Sequence, residues 1–170
     1  RSLAKTIGLG VMYGMGYHKL ARELDMEPQE AKKMLQDFHA KVPFMKGMLE
    51  AVMNRANSKG VIRTLLGRKC RFDLWEPTQW GVHKALPLNQ AQTEHGFAIK
   101  RAYTYKALNR LIQGSAADQT KKAMVDVYEE LGIIPLIQVH DELDCSVKDE
   151  KQGKQIKEIM ENCVELEVPS

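Results

Sequence analysis

The chain has 170 residues, of which 44% are hydrophobic and 28% are charged, a composition that supports a packed core and argues against disorder. The formal net charge of +3 permits a nucleic-acid partner without requiring one. Three widely spaced cysteines, Cys70, Cys145 and Cys163, argue against a disulfide framework and indicate a reducing compartment such as the cytoplasm. No apolar run reaches membrane-spanning length and no secretory signal is present, so we expect no membrane partner.

The N-terminal part, up to about residue 60, is predicted to be helical. Its first fourteen residues repeat a pattern every four positions, which places one stripe of side chains on a helix face. That stripe consists of Arg1, Lys5, Leu9 and Tyr13. A short helix is predicted over 17–24, a third beginning near Pro28 and ending before Pro43, and a fourth over 44–58, ended by Gly60. Because the chain opens inside a periodic segment, we expect a piece of a longer protein.

Residues 61–72 are rich in β-formers around Gly67, which predicts a hairpin. Its four basic residues are Arg63, Arg68, Lys69 and Arg71. Clustered cations are typical of phosphate contacts with nucleic acid, although a solvated hairpin is an equally open interpretation.

Residues 73–96 show little periodicity and are predicted to form a loop insertion with a short helix, in which Trp75 and Trp80 act as packing anchors. Residues 97–131 predict the longest helix, ended by Gly132. Its polar groups are predicted to be Asn109, Gln113 and Arg101.

The segment 136–146 combines two short apolar runs around His140, Asp141 and Glu142, which predicts a hairpin whose first strand is buried. Two adjacent carboxylates on a tight turn suit Mg²⁺, whereas a plain solvated turn is the alternative interpretation. A final amphipathic helix is predicted over 149–166. Helices followed by a sheet with packed helices predict an α+β fold.

Four separated stretches, in order, resemble family A DNA polymerases. Residues 1–14 resemble the RxxxKxxx(F/Y)GxxYG motif, and 64–69 resemble the TLxGRR hairpin. Residues 109–118 resemble the NxxxQGxxAD helix, and 139–142 resemble the motif that ends in His-Asp-Glu. The resemblance implies a right-hand polymerase, with the fingers over 1–60 and the C-terminal palm over 61–170.

The resemblance also implies a role for each matching residue. Asp141 and Glu142 would belong to a two-metal Mg²⁺ site, and Lys5 would assist catalysis at the leaving group. The nucleotide-binding residues would be Arg1, Lys5, Leu9 and Tyr13. The DNA-binding residues would be Gly14, Arg68, Asn109, Gln113 and His140. The partners implied are primer-template DNA, dNTPs and replication accessory proteins, with a monomeric parent.

Departures from the family pattern qualify these expectations. Leu9 stands where the family usually has Phe or Tyr, and Tyr105 stands where many bacterial relatives carry Arg. Whether Arg101, one helical turn earlier, compensates for the missing Arg is left open by the sequence. With the apparent insertion at 73–96, these features favour a phage replicative polymerase over a bacterial repair enzyme or a non-enzymatic nucleic-acid-binding module. The family's first metal-binding aspartate belongs to a motif upstream of Arg1, so we expect the chain alone to be inactive.

Overall fold

A computed structural model describes residues 7–8, 10, 14–79, 81–82 and 84–166. The chain divides into two compact units. One comprises Arg1–Arg63 with Arg68–Leu111, and the other comprises Thr64–Gly67 with Ile112–Ser170. Helices and short antiparallel sheets coexist, which confirms the predicted α+β class. Within the described ranges, no helix is both long and apolar enough to cross a membrane.

The first unit begins with the helices predicted from the sequence. Helix α1 spans Tyr17–Leu24, α2 spans Pro28–Lys41 and α3 spans Pro43–Lys59. Proline occupies the first turn of both α2 and α3, where no intrahelical N–H bond is lost. A small core between α1 and α2 buries Ile7, Leu20, Ala21 and Ala31.

The predicted hairpin after α3 is confirmed. Gly60 ends α3 in a left-handed conformation, with φ of 68°. Strands β1 (Val61–Arg63) and β2 (Lys69–Arg71) then pair antiparallel, with Ile62 opposite Cys70. Ile62 and Phe72 are buried against α3 and the start of the long helix, which fixes the inner face of the hairpin.

The interpretation of 73–96 as a loop with a short helix is only partly right. The helix exists, as α4 over Leu88–His95. The segment also contributes β3 (Leu74–Pro77) and β4 (Leu86–Pro87) to a three-stranded antiparallel sheet. The third strand, β5 (Ile99–Arg101), pairs with β3. Strands this short carry too few alternating positions to be recognised by period.

The predicted helix over 97–131 begins ten residues late. Residues 99–101 form β5, a 3₁₀ turn covers Thr104–Lys106, and helix α5 spans Ala107–Leu131. Tyr103 adopts a left-handed φ of 61°, which no α-helix accommodates. Pairing with β3 therefore overrides the local helical pattern. Leu108, Ala123 and Val127 of α5 are buried, whereas Ala116 is exposed and Ala102 lies outside the helix.

The second unit contains the predicted His-Asp-Glu hairpin and a final helix. Strands β6 (Ile137–Val139) and β7 (Glu142–Asp144) pair antiparallel, and α6 spans Glu150–Asn162. Asp149 caps α6 by accepting a hydrogen bond from the Gln152 N–H at 2.8 Å. The expectation of a buried first strand is wrong, because every residue of β6 is exposed. Within the described residues this sheet has only two strands, too few to cover an apolar face.

Candidate functional site

The turn between β6 and β7 presents the two predicted carboxylates. Val139 pairs with Glu142, so His140 and Asp141 form a two-residue loop. His140 adopts a left-handed φ of 54°, and its carbonyl accepts a hydrogen bond from the Gln138 side chain. The side chains of Asp141 and Glu142 are exposed. The fold therefore places two ionisable oxygen donors at an accessible hairpin tip.

Asp141 lines a cavity of about 390 Å³ within the second unit. The remaining lining residues come from helices α5 and α6: Ala116, Gln119, Thr120, Ala123, Met160 and Glu161. Small side chains on α5 leave this space open beside the carboxylate. A ligand entering the cavity would meet Asp141 and Glu161 as its negatively charged groups.

The donor chemistry at the turn fits a hard divalent cation, since carboxylate oxygens are the ligands that Mg²⁺ prefers. Among the residues that the structure describes, no group of three or more His, Cys, Asp or Glu side chains could hold a metal ion. A cation held by Asp141 and Glu142 would therefore need further oxygen ligands, such as water or phosphate.

The basic hairpin β1–β2 separates an apolar face from a charged one. Ile62 and Cys70 point towards the core, so strand alternation puts Arg63, Lys69 and Arg71 on the opposite, exposed face. Arg63 lies directly across from Lys69. Like charges in this arrangement repel each other, and a bound polyanion would reduce that repulsion.

Helix α5 carries both predicted minor-groove residues. Asn109 is half-buried, and Gln113, four positions later, is exposed. The two positions therefore project from one face of the helix.

The expectation that Arg101 and Tyr105 lie on this helix is wrong, because neither residue belongs to α5. Arg101 ends strand β5, where its guanidinium donates to the carbonyls of Phe72 at 2.8 Å and Asn57 at 3.1 Å. In the described structure, Arg101 therefore bonds to the backbone on both sides of the basic hairpin. The sequence did not indicate this role, because residues 99–101 were predicted to be helical.

Gly14 has a structural reason to be glycine. Its φ is 69°, and a Cβ at this position would lie 3.0 Å from the carbonyl oxygen of Tyr105. Close approach to the Tyr105 backbone is thus one structural reason for glycine at this position. Gly10 is similarly crowded, since a Cβ there would lie 3.0 Å from the Met15 sulfur.

The four predicted nucleotide-binding residues lie outside the described residues, so their assignment stays a prediction. They are Arg1, Lys5, Leu9 and Tyr13. Trp80 also lies outside the described residues, whereas Trp75 is a packing anchor, as predicted, against Arg101.

One polar contact escaped the sequence interpretation altogether. The Thr64 hydroxyl, at the tip of the basic hairpin, donates a hydrogen bond to the buried carboxylate of Asp118 on α5. Both residues belong to recognised motifs, TLxGRR and NxxxQGxxAD. Only the fold reveals that they touch, because 54 positions separate them in the chain.

Comparison with known proteins gives a consistent result along the chain. The model of DNA polymerase family A matches residues 1–170. The DNA-directed DNA polymerase of Pseudomonas phage M6 is 35% identical over 204 aligned residues, which cover 100% of this chain and 27% of that protein. DNA polymerase I of Thermus aquaticus is 31% identical, over 99% of this chain and 19% of that protein.

A solved structure matches equally well. The POL domain of Pol1 from M. smegmatis, in complex with DNA primer-template and dNTP, superposes with a TM-score of 0.76 and 30% identity. The match covers 99% of this chain and 28% of that chain. The chain thus spans roughly a quarter or less of the length of these relatives.

Proposed function

Because the chain belongs to DNA polymerase family A, we propose that it forms part of a DNA-directed DNA polymerase that adds dNTPs to a primer 3′-end under template direction. The observation that carries the proposal is the exposed Asp141 carboxylate at a two-residue turn, in a chain that matches the family over 1–170. The phage relative, a DNA-directed DNA polymerase, and the bacterial relative, a DNA polymerase I, support the same activity. In this proposal, residues 1–60 belong to the fingers and 61–170 to the C-terminal palm, which includes the segment 73–96.

Asp141, with Glu142 beside it, would hold Mg²⁺ in the working enzyme. When bound, a pair of such cations stabilises the attacking and leaving oxygens of a phosphoryl transfer. The family's other metal-binding aspartate belongs to a motif upstream of Arg1, so the active site is completed by the longer protein. The turn contributes accessible oxygens, and the small α5 side chains leave the cavity beside Asp141 open to a ligand.

The nucleotide would be bound by side chains on one helical stripe. Arg1 and Lys5 would contact the triphosphate, where fixed positive charge stabilises the developing negative charge. Lys5 would also serve as the acid for the leaving pyrophosphate. Leu9 and Tyr13 would contact the nascent base pair.

Polar and basic groups would contact the primer-template duplex. Asn109 and Gln113 suit the minor groove, where acceptors are common to all correct base pairs. Arg68 and the exposed basic hairpin face suit the phosphate backbone. Gly14 would allow close approach of the duplex, and His140 would lie near the primer terminus.

The biological setting proposed is DNA replication by a phage in the cytoplasm of its host, by a monomeric polymerase working with accessory proteins. The 35% identity to a phage polymerase supports this setting. The alternative is a bacterial repair polymerase of the same family, supported by 31% identity to a bacterial enzyme. The rest of the full-length protein separates the two, because a processing nuclease domain in it favours repair.

The proposal is tested by primer extension with the full-length protein. Template-dependent incorporation that requires Mg²⁺ and follows base complementarity is the expected result. Binding of primer-template without incorporation, under conditions in which a related polymerase extends the same primer, would instead indicate a nucleic-acid-binding module.

A further inference from the structure

The loop between β6 and β7 adopts one of two closely related turn conformations. Val139 pairs with Glu142, so the loop consists of His140 and Asp141. The φ of His140 is 54°, whereas Asp141 is not among the residues with a positive φ. A positive φ at the first loop residue alone is the pattern of a type II′ turn, while a type I′ turn needs a positive φ at both residues. The two types differ by a flip of the peptide group between the two loop residues.

The Gln138 side chain bonds to that peptide group. Its amide Nε2 donates a hydrogen bond to the carbonyl oxygen of His140, which belongs to the peptide that joins His140 to Asp141. A flip of this peptide would turn the carbonyl away from the donor and break the bond. Gln138 therefore stabilises the observed orientation of the peptide against the alternative one.

Packing among the described residues contributes little to this choice. Ile137 and Val139 on β6 are 57% and 49% exposed, and both loop residues are exposed as well. A residue other than glycine at positive φ also carries a conformational cost, which is of the same order as the net contribution of one hydrogen bond. A single side-chain bond is therefore large enough to decide between the two forms of the turn.

We propose that Gln138 is a positioning residue that holds the peptide between His140 and Asp141 in the orientation that directs the Asp141 carboxylate towards a divalent cation. This inference rests on the proposed function, in which Asp141 is a metal ligand. Gln138 acts through the backbone of the turn, and Asp141 supplies the oxygen. Hydrogen bonds that orient a metal ligand contribute substantially to metal affinity.

The decisive variant is Gln138→Met, which keeps the length of the side chain and removes the donor. The probe is Mn²⁺, because the EPR signal of the free ion measures how much remains unbound. Mn²⁺ is titrated into the full-length protein with a dideoxy-terminated primer-template, so that no incorporation occurs. We expect Gln138→Met to weaken Mn²⁺ binding about tenfold, the scale for losing a group that orients a metal ligand. Primer-template affinity without divalent cations should not change.

The Asp141→Asn background shows whether Gln138 acts through this carboxylate. Asp141→Asn removes the share of Mn²⁺ binding that depends on Asp141 and leaves any other site of the full-length protein in place. Adding Gln138→Met to this background should weaken Mn²⁺ binding no further, because the two residues act as one unit.

A rescue and a matched control separate positioning from a general defect. Glycine is favoured at the first position of a type II′ turn, so adding His140→Gly to Gln138→Met should restore most of the Mn²⁺ affinity. Gln155→Met makes the same chemical change at an exposed position on α6. It should leave Mn²⁺ binding unchanged.

Three outcomes would overturn the inference. They are wild-type Mn²⁺ affinity for Gln138→Met, no recovery on adding His140→Gly, and a further loss when Gln138→Met is added to Asp141→Asn. Each of them leaves the proposed function standing if the wild-type protein incorporates dNTPs. Absence of incorporation by the wild type would instead count against the proposed function.

Discussion

The guanidinium carbon of Arg101 lies 4.5 Å from the centre of the Trp75 ring. The same guanidinium donates to the carbonyls of Phe72 and Asn57, so it links β5 to the residues that flank the basic hairpin. A Cβ at Gly60 would lie 2.6 Å from that guanidinium carbon. Two features therefore favour glycine at position 60. Its φ is positive, and a Cβ there would clash with the Arg101 guanidinium.

The first prediction concerns this arrangement. Arg101→Lys keeps the charge but loses the planar fork, and we expect it to lower the free energy of unfolding by about 1–3 kcal/mol. Gly60→Ala should cost a similar amount, about 1–3 kcal/mol, because the backbone is strained and the guanidinium must move. Urea denaturation measures both changes.

Arg55→Lys is the matched control, because Arg55 is exposed on α3. It should change the free energy of unfolding by less than about 0.5 kcal/mol. Equal effects of Arg101→Lys and Arg55→Lys would mean that the stacked guanidinium contributes little to stability.

Local signals explain which parts of the fold could be predicted. Pro28, Pro43 and Gly60 mark the helix boundaries of the first unit, and each acts within a few residues of its own position. Strand β5 could not be predicted in this way, since it exists by pairing with β3, which lies 22 to 26 positions earlier in the chain (Pro77 opposite Ile99, Trp75 opposite Arg101). Non-local pairing leaves little trace in a single sequence window.

The candidate site was predictable to a similar extent. The hairpin that carries Asp141 follows from its apolar runs and polar turn. The exposure of Ile137 and Val139 does not follow, because burial depends on what covers a strand rather than on its composition. The Thr64–Asp118 contact was unpredictable for the same reason, as it joins two motifs that are distant in the chain.

The second prediction uses the backbone of His140 to separate stability from function. At φ of 54°, Asn is better tolerated than His. We therefore expect His140→Asn to leave the free energy of unfolding unchanged or to raise it by up to about 1 kcal/mol. Loss of the imidazole should nevertheless slow incorporation by the full-length protein. Single-turnover incorporation and denaturation, measured on the same variant, test whether the rate falls while stability is kept. A wild-type rate would mean that the imidazole takes no part in incorporation.

The third prediction concerns the pH dependence of Cys163. Burial, followed by the nearby Asp126 charge, raises the pKa of its thiol. The folded state thus favours the protonated thiol. The resulting stability is complete below the pKa of the unfolded chain and is lost as pH rises through the higher folded-state pKa.

Alkylation of Cys163 by iodoacetamide should accordingly show a midpoint above the ordinary thiol range. The measurement needs a single thiol, as in the Cys70→Ser and Cys145→Ser double variant. Adding Asp126→Asn should lower the midpoint, because one negative charge is removed. A midpoint in the ordinary range for the folded protein would contradict the effect of burial.

The fourth prediction addresses Leu9, where the family usually has an aromatic residue. In the proposed site, Leu9 would offer no hydroxyl to the incoming sugar, so the full-length protein should discriminate against 2′,3′-dideoxynucleotides. Leu9→Tyr should relax that discrimination by about fivefold to a hundredfold, the equivalent of one hydrogen bond of about 1–3 kcal/mol at a desolvated site. The ratio of dNTP to ddNTP incorporation efficiencies is the measurement, and an unchanged ratio would mean that Leu9 does not sense the sugar.

The fifth prediction tests Asp141 against a neighbouring carboxylate. Asp141→Asn preserves the size of the side chain but removes the charge that a divalent cation requires. Incorporation by the full-length protein should fall by several orders of magnitude, on the scale of losing a metal-assisted step. Binding of primer-template in the absence of Mg²⁺ should change little, because the DNA contacts proposed here lie on other residues.

Asp144→Asn is the matched control for that experiment. Asp144 ends the same hairpin, is also exposed, and pairs with Ile137 through the strand backbone rather than through its carboxylate. It should retain incorporation within a few-fold of wild type and keep the same dependence on Mg²⁺ concentration. If Asp141→Asn and Asp144→Asn lost equal activity, the loss would reflect the overall negative charge of the hairpin. Asp141 would then not be a specific metal ligand.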